Sequence, residues 1–170
     1  MICLLTGDRN VGKTTLVKRV LARVREQGVS ATGFYTDGGP ETRDLVPVGP
    51  GQPVPFASES RTFPGNVSVG RYSINPAAID AGLAACRSEG AVLVVDEIGR
   101  LEQRGGGFAE LFASIDPNRY RGVLLSVRKG LTDFVDGQLP ATASTRRFEI
   151  TERNRDALVD KVTECVLAGD

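Results

Sequence analysis

The sequence predicts an α/β fold in three layers, with a mainly parallel central sheet and helices on both faces. Short, continuous apolar runs are typical of buried parallel strands. Three such runs occupy residues 2–5, 91–95 and 122–127. Segments with apolar residues at helical spacing lie between them, and this alternation favours a sheet that helices cover on both sides.

Each further element has its own local signal. The first helix follows from one apolar face and ends near Gly28, since glycine favours helix C-termini; its residues are Leu16, Val17, Val20, Leu21 and Val24. Asn75 and Pro76 predict the start of a second helix, because Asn is a favoured N-cap and Pro fits the first helical position. Residues 108–115 predict a third helix that stops at Asp116 and Pro117, and residues 158–166 predict a closing helix. Residues 32–36, 67–74 and 148–150 predict strands.

Residues 37–65 are rich in glycine and proline, which excludes a long helix there. The short runs at 45–48 and 54–56 predict an antiparallel hairpin. We interpret this segment as an insertion within a single domain that spans residues 1–170. One domain is the expectation for a chain of 170 residues.

Composition narrows the class of protein. Lys+Arg and Asp+Glu both number 21, so no net field attracts nucleic acid, and we expect no dedicated nucleic-acid binding. No apolar run approaches the roughly 18 residues that span a membrane, and nothing resembles a signal peptide. We therefore expect a cytoplasmic protein, and a monomer, without a membrane partner.

Histidine is absent, which excludes histidine bases and most transition-metal sites. The three cysteines lie in apolar segments, and we expect them to be buried and reduced.

Residues 7–14 match the phosphate-loop pattern G-x-x-x-x-G-K-[ST] between a predicted strand and a predicted helix. The glycines let backbone N–H groups surround a phosphate, Lys13 brings positive charge to the terminal phosphates, and the Thr14 hydroxyl is suited to ligate Mg²⁺. The charge of Asp8 is unfavourable beside a polyphosphate unless its side chain points away. The predicted nucleotide-binding residues of the loop are Gly7, Asp8, Arg9, Asn10, Val11, Gly12, Lys13, Thr14 and Thr15.

Two acids end the apolar strand at residues 91–95. A carboxylate in this place is suited to hold Mg²⁺ through its water shell, and we assign that role to Asp96. Glu97 is the candidate that orients or deprotonates the attacking water. With no histidine in the chain, a carboxylate is the obvious base.

Weaker signals suggest further site residues. Arg128 ends the strand at 122–127 and could stabilise charge on the γ-phosphate, with Arg9 and Arg100 as competing candidates and a solvated surface arginine as the alternative. Asn154 and Arg155 open the last helix and are candidates for contacts to the base or ribose; an N-terminal cap explains Asn154 equally well. Aromatic residues near the insertion favour core packing, with a platform for a second substrate as the alternative. They are Phe34, Tyr35, Phe56 and Tyr72.

Several motifs in order along the chain resemble the nucleoside-triphosphatase family first described from thermophiles and also called cancer-related nucleoside triphosphatase. They are TG-x4-GKTTL at 6–16, GFYT at 33–36, VGRYSI at 69–74, DEIGRLE at 96–102 and ERNRD at 152–156. The resemblance implies a RecA-like P-loop domain that slowly hydrolyses several nucleoside triphosphates, including ATP and GTP, with Mg²⁺. It also implies that Asp96 and Glu97 are the metal-side and water-side acids. Glu102 matches a further family acid whose role the sequence does not reveal.

Three functions compete at this point. The first is a Mg²⁺-dependent nucleoside triphosphatase with catalytic Lys13, Glu97 and Arg128. The second is a nucleotide or small-molecule kinase, which needs an acceptor pocket and usually an arginine-rich lid, whereas residues 37–65 contain only Arg43 and Arg61. The third is a nucleotide-dependent switch or adaptor protein. The Asn-Lys-x-Asp motif of signalling GTPases does not occur in the sequence.

Overall fold

The structure is a computed structural model that describes residues 1–116 and 118–169. The strands are β1 (Ile2–Gly7), β2 (Ala31–Gly38), β3 (Thr42–Pro47), β4 (Val54–Ser58), β5 (Val67–Val69), β6 (Tyr72–Ile74), β7 (Val92–Ile98), β8 (Gly122–Arg128) and β9 (Thr145–Ile150). The helices are α1 (Lys13–Glu26), α2 (Pro76–Arg87), α3 (Arg100–Gln103), α4 (Glu110–Ser114), α5 (Thr132–Gln138) and α6 (Arg155–Ala168). Within the described ranges, no helix has the length and apolar character that crossing a membrane requires.

The described strands form a nine-stranded sheet in the order β5-β6-β4-β3-β2-β7-β8-β1-β9. In sheet order, the neighbouring strands β2, β7, β8, β1 and β9 are all parallel. On the other side of β2, the neighbouring strands β2, β3, β4, β6 and β5 are all antiparallel. The predicted α/β class with a parallel core is confirmed, and the predicted hairpin is present as β3 and β4.

Helices cover both faces of the sheet, and the residues of β1 show why a helical layer is needed on each face. Ile2 and Leu4 point into a core that α2, α4 and α5 cover, whereas Cys3 and Leu5 point into a second core under α1 and α6. All four side chains are fully buried. A strand that is apolar at every position must be covered on both sides, so this arrangement follows from the opening residues of the chain.

Two sequence predictions are wrong in their extent. Residues 67–74 form two strands, because Gly70 has a φ of +61° and turns the chain so that Val69 pairs with Tyr72. The helix predicted for residues 108–115 is reduced to α4, since Gly105 and Gly107 adopt positive φ and leave Phe108 in the preceding turn. The predicted stop at Pro117 lies outside the described residues. The short helices α3 and α5 were not predicted.

The predicted helix start at Asn75 is confirmed, because its Oδ1 accepts a hydrogen bond from the Ala77 N–H at 3.1 Å. The prediction of buried, free cysteines is also confirmed. Cys3 and Cys165 lie in the core under α1 and α6, with their Sγ atoms 2.7 Å apart. Cys86 lies in the opposite core, where burial raises the pKa of its thiol to about 12.

Gly33 explains why the GFYT segment begins with glycine. Its φ is +99°, and a Cβ at this position would lie 1.9 Å from the carbonyl oxygen of Val94 on the adjacent strand β7. Both strands are fixed in the parallel part of the sheet, with Gly33 opposite Val94. No side chain fits unless β2 and β7 separate.

We therefore expect Gly33→Ala to lower the free energy of unfolding by more than about 3 kcal/mol, as measured by urea denaturation. Gly28→Ala is the matched control, because Gly28 also has a positive φ of +70° but no atom within 4 Å of the added Cβ. Strain alone should cost the control about 1 kcal/mol. Equal losses in the two variants would contradict the steric explanation.

Candidate active site

The predicted loop residues and the two acids meet at one edge of the sheet, where β1, β2 and β7 end. Most of them line a cavity of about 280 Å³, which we call the phosphate cavity. Its predicted lining residues are Arg9, Asn10, Gly12, Lys13, Thr14, Thr15, Asp96 and Glu97. Its lining residues not assigned from the sequence are Lys18, Thr36, Asp37, Gly38 and Arg43. Gly7, Asp8, Val11, Asn154 and Arg155 are not among the residues that line it.

Lys13 is held inside the loop by the loop's own backbone. Its Nζ donates to the carbonyl oxygens of Gly7 at 3.0 Å and Asp8 at 2.8 Å, and the residue is only 9% exposed. Burial lowers the pKa of Lys13, while the charges of Glu97, Asp96 and Asp8 act in the opposite direction. The ammonium group is therefore already oriented at the cavity before any ligand arrives.

The side chain of Asp8 points away from the phosphate cavity, which is the condition under which its negative charge is tolerated. Its carboxylate is 3.1 Å from Lys129 Nζ, and its side chain is 70% exposed. Lys129 also pairs with Glu149 at 3.3 Å, so the two acids share the positive charge of Lys129 outside the phosphate cavity. The part of Asp8 that belongs to the loop is its backbone carbonyl, which accepts from Lys13.

The N-terminus of α1 is open to an anion. Its N-cap Gly12 has a φ of 96° and supplies no side-chain acceptor, and no acidic residue lies in the first turn. The positive end of the helix is therefore not neutralised locally. Arg155, from the start of α6, lies over this point: its Nη1 would be 2.6 Å from a Cβ on Gly12.

Asp96 joins the loop helix to the sheet. Its Oδ2 accepts hydrogen bonds from the Thr14 hydroxyl at 2.7 Å and from the Thr36 N–H at 3.3 Å. The residue is 1% exposed. Burial raises the pKa of its carboxyl group, and the charge of Glu97 raises it further. Its Oδ1 has no partner with full hydrogen-bond geometry among the described residues, although Ser126 is its neighbour on β8 and the Ser126 side chain lowers the pKa of Asp96.

Glu97 stands beside Asp96 in a different environment. Its side chain is 31% exposed, and its Oε2 lies 2.5 Å from Nη1 of Arg43 on β3. Because the arginine is 30% exposed and lines the same cavity, the ion pair is accessible to a ligand. The sequence analysis did not identify Arg43 as a partner of Glu97, since the two residues are 54 positions apart.

The carboxylate of Glu102 holds the backbone of the segment that follows Glu97. Its Oε2 accepts from the Gly99 N–H at 2.7 Å, and its Oε1 accepts from the Phe108 N–H at 3.2 Å. The residue is 4% exposed, and burial raises the pKa of its carboxyl group. It thereby fastens both ends of the segment that follows Glu97. A Cβ on Gly107 would lie 2.3 Å from Oε1, which accounts for a glycine there.

The remaining candidates lie at the same edge of the sheet with different surroundings. Arg128 pairs with Gly7 in the β1–β8 register and lines a shallow cavity together with Lys13 and Glu97. Asn154 occupies the N-cap position of α6 without a side-chain capping bond. Its side chain instead accepts from the Thr151 N–H at 2.8 Å and donates to the Glu149 carbonyl at 3.0 Å. Its amide therefore maintains the turn between β9 and α6.

The sequence analysis missed Thr36 and Arg43. Thr36 closes the GFYT segment, and its position at a strand end next to Asp96 was a usable signal. Arg43 offered none, because its strand belongs to a glycine- and proline-rich segment whose pairing partner is not local in sequence.

Comparison with known proteins agrees with this geometry. The model of a family described as NTPase matches residues 2–163. The nucleoside-triphosphatase THEP1 of Caldivirga maquilingensis is 30% identical over 163 residues, covering 93% of this chain and 90% of that protein. The cancer-related nucleoside-triphosphatase homolog of Mus musculus is 26% identical over 95% of this chain and 94% of its own length.

Two solved structures share the fold. The crystal structure of THEP1 from Aquifex aeolicus has a TM-score of 0.70 at 25% identity, over 98% of this chain and 99% of that one. The solution structure of a human cancer-related nucleoside triphosphatase has a TM-score of 0.75 at 24% identity, over 99% and 98% respectively. Since the family model spans nearly the whole sequence and the fold agrees, the chain belongs to this NTPase family.

Proposed function

We propose that this protein hydrolyses nucleoside 5′-triphosphates to diphosphate and phosphate in the phosphate cavity, with Mg²⁺ and with little preference among bases. The observation that carries the proposal is the 2.7 Å hydrogen bond between the Thr14 hydroxyl and Asp96. It brings a phosphate-binding loop and a buried acid into one site, although the two residues are 82 positions apart. The names of the relatives support the same activity.

In the proposed complex, the triphosphate lies along the loop from Arg9 to Thr15. Backbone N–H groups donate hydrogen bonds to it, and the positive end of α1 stabilises its negative charge. Lys13 exchanges its bonds to the Gly7 and Asp8 carbonyls for stronger, charge-assisted bonds to phosphate oxygens. Arg155, which covers Gly12, is our candidate for contact with the ribose or base, together with the neighbouring turn at Asn154.

The donor set fits Mg²⁺, which prefers oxygen ligands and is usually held by one or two carboxylates together with substrate phosphates. Thr14 and Asp96 would hold the ion, Asp96 through its water shell. The buried Oδ1 of Asp96, which lacks a partner with full hydrogen-bond geometry among the described residues, is an acceptor that a bound water would satisfy. When bound, Mg²⁺ neutralises charge that develops on the phosphate oxygens.

Glu97 is the proposed group that orients the attacking water and accepts its proton. Unlike Asp96, it is partly exposed at the cavity, and Arg43 fixes one of its oxygens. Arg43 and Lys13 line the same cavity and supply positive charge where the γ-phosphate would lie. Arg128 is our candidate for an additional charge at that phosphate, because it borders Glu97 and Lys13 from the other side.

The primary test measures phosphate release with ATP, GTP, CTP and UTP, each with and without Mg²⁺. We expect release with all four when Mg²⁺ is present, and little after chelation.

Lys13→Ala should weaken nucleotide binding at least about tenfold, or ~1.4 kcal/mol. Lys161→Ala, at an exposed position on α6, is the control. Unchanged nucleotide affinity in Lys13→Ala would contradict the assignment of residues 7–15 as the nucleotide-binding loop. Tight nucleotide binding by the wild-type protein without phosphate release would favour the switch or adaptor function.

Glu97→Gln separates binding from chemistry. We expect nucleotide affinity within about threefold of wild type and a loss of kcat of about 100-fold or more, the usual effect of removing a general base. The measurements are equilibrium titration and single-turnover phosphate release. Glu89→Gln is the matched control, at an exposed site shortly before β7 begins. Wild-type turnover in Glu97→Gln would reject the role.

Glu102 is proposed as a positioning residue for Glu97. A glutamine offers only one oxygen to the two backbone N–H groups that Glu102 satisfies, so Glu102→Gln should lower the free energy of unfolding by about 1–3 kcal/mol. Under conditions where the variant stays folded, kcat should fall while KM changes little, because the loop after Glu97 loosens. Gln103→Ala, an exposed neighbour, controls for local helix effects. A normal kcat in folded Glu102→Gln would leave this residue a purely structural role.

A further inference from the structure

A second cavity of about 180 Å³ adjoins the phosphate cavity, and we call it the arginine cleft. It lies between the loop, the β5–β6 hairpin and α3. Four residues line both cavities: Arg9, Asn10, Arg43 and Glu97. The cleft therefore begins where the proposed γ-phosphate site ends, with the Arg43–Glu97 ion pair between them.

The cleft has an excess of positive charge. Arg9, Arg43, Arg71, Arg100 and Arg128 line it, against the acids Glu97 and Glu102. Arg43 is neutralised by Glu97, and Arg71 pairs with Glu59 at 2.8 Å. Both oxygens of Glu102 accept bonds from backbone N–H groups. The cleft therefore has five arginines against two acids, and among the described residues neither acid forms an ion pair with the other three arginines.

Those other arginines are Arg9, Arg100 and Arg128. Within residues 1–116 and 118–169, none of their three side chains forms a hydrogen bond or an ion pair, although the Arg128 carbonyl accepts a bond from the Leu131 N–H. They are close enough to influence one another: burial lowers the pKa of Arg128, the charges of Arg9 and Arg100 lower it further, and the charge of Glu97 raises it. Like charges that converge without a counter-ion are stabilised by a bound anion.

Part of the cleft wall is apolar. Phe56 on β4 lines it and packs against Phe108 with ring centroids 5.9 Å apart, and Ile74 on β6 is 6% exposed. Tyr72 is held at the rim by a hydrogen bond from its hydroxyl to the Pro40 carbonyl at 2.5 Å. A bare inorganic anion would leave this wall exposed, whereas an anion on an apolar or aromatic body would cover it.

We propose that the arginine cleft binds an organic phosphate monoester with an apolar or aromatic body, and that this molecule accepts the γ-phosphoryl group of the triphosphate in place of water. The proposal rests on the proposed binding of the triphosphate at the phosphate loop. Arg100 lines only the cleft, whereas Arg9 and Arg128 also line the neighbouring cavities and would lie between the two phosphates. The three unpaired side chains suit a dianionic phosphate, and the shared boundary at Glu97 places it next to the transferred group.

The reaction balances without a base. An oxygen of the monoester attacks the γ-phosphorus and forms a new P–O–P bond, while the bond from the γ-phosphorus to the β,γ-bridging oxygen breaks. The nucleoside diphosphate leaves with that electron pair. The second pKa of a phosphate monoester is about 6, so the acceptor is a dianion near neutral pH and no proton is transferred.

Binding is tested by titrating phenyl phosphate, ribose 5-phosphate and inorganic phosphate into the protein without nucleotide, followed by calorimetry. We expect phenyl phosphate to bind at least tenfold more tightly than inorganic phosphate. Arg100→Gln should weaken that binding at least tenfold, whereas Arg104→Gln, at the exposed end of α3, should change it less than threefold. Lys13→Ala should also change it less than threefold, because Lys13 lines only the phosphate cavity and the shallow one.

Phenyl phosphate that binds no better than inorganic phosphate, or that responds to Lys13→Ala and not to Arg100→Gln, would overturn the site. Tighter binding of ribose 5-phosphate than of phenyl phosphate would overturn the apolar class of body. Transfer is scored by ³¹P NMR in mixtures with ATP and Mg²⁺, where phenyl diphosphate is the expected product. Binding without a diphosphate product from either monoester would overturn the acceptor role and leave a ligand site.

Phosphate release from ATP alone is recorded in parallel and tests the proposed hydrolysis by itself. If release occurs but no monoester binds, the cleft proposal fails and the hydrolytic function stands. If a monoester binds through Arg100 and no release occurs, the hydrolytic function fails and the second site stands.

Discussion

The carboxylate of Asp96 connects the parts of the protein on which the site depends. A buried charge is costly unless hydrogen bonds satisfy it, and Asp96 obtains those bonds from Thr14 on the loop helix and Thr36 on β2. One side chain thereby fixes α1 against two central strands. The same contacts define where the phosphate cavity lies, because the loop cannot shift without separating Thr14 from its partner.

Two adjacent acids acquire different properties because they lie in different surroundings. Asp96 is enclosed between the loop helix and the sheet, whereas Glu97 emerges at the cavity and pairs with Arg43. Neighbouring carboxylates in unlike environments are a common way to divide roles within a site. Here the division also separates two spaces, since the Glu97–Arg43 pair is the boundary between the phosphate cavity and the arginine cleft.

Local sequence patterns predicted the features that depend on local physics. The apolar runs predicted the parallel strands, the motif at residues 7–14 predicted a loop that borders the phosphate cavity, and Asn75 predicted a helix start. The patterns failed where a distant contact or an isolated backbone angle decides the outcome. Gly70 divides one predicted strand into two, and Arg43 reaches Glu97 from a strand whose pairing the sequence does not specify. The arginine cleft belongs to this second kind, because its residues come from six separate segments.

The three thiols give the molecule built-in reporters of its two cores. Cys86 lies beneath α2, and Cys3 and Cys165 lie on the opposite face of the sheet beneath α1 and α6. Burial raises the pKa of Cys3 and of Cys86, and a thiol that stays protonated reacts slowly with alkylating reagents. Labelling at Cys86 therefore records the opening of one layer, and labelling at Cys3 or Cys165 records the opening of the other. The order in which they react would reveal whether the layers come apart together or separately.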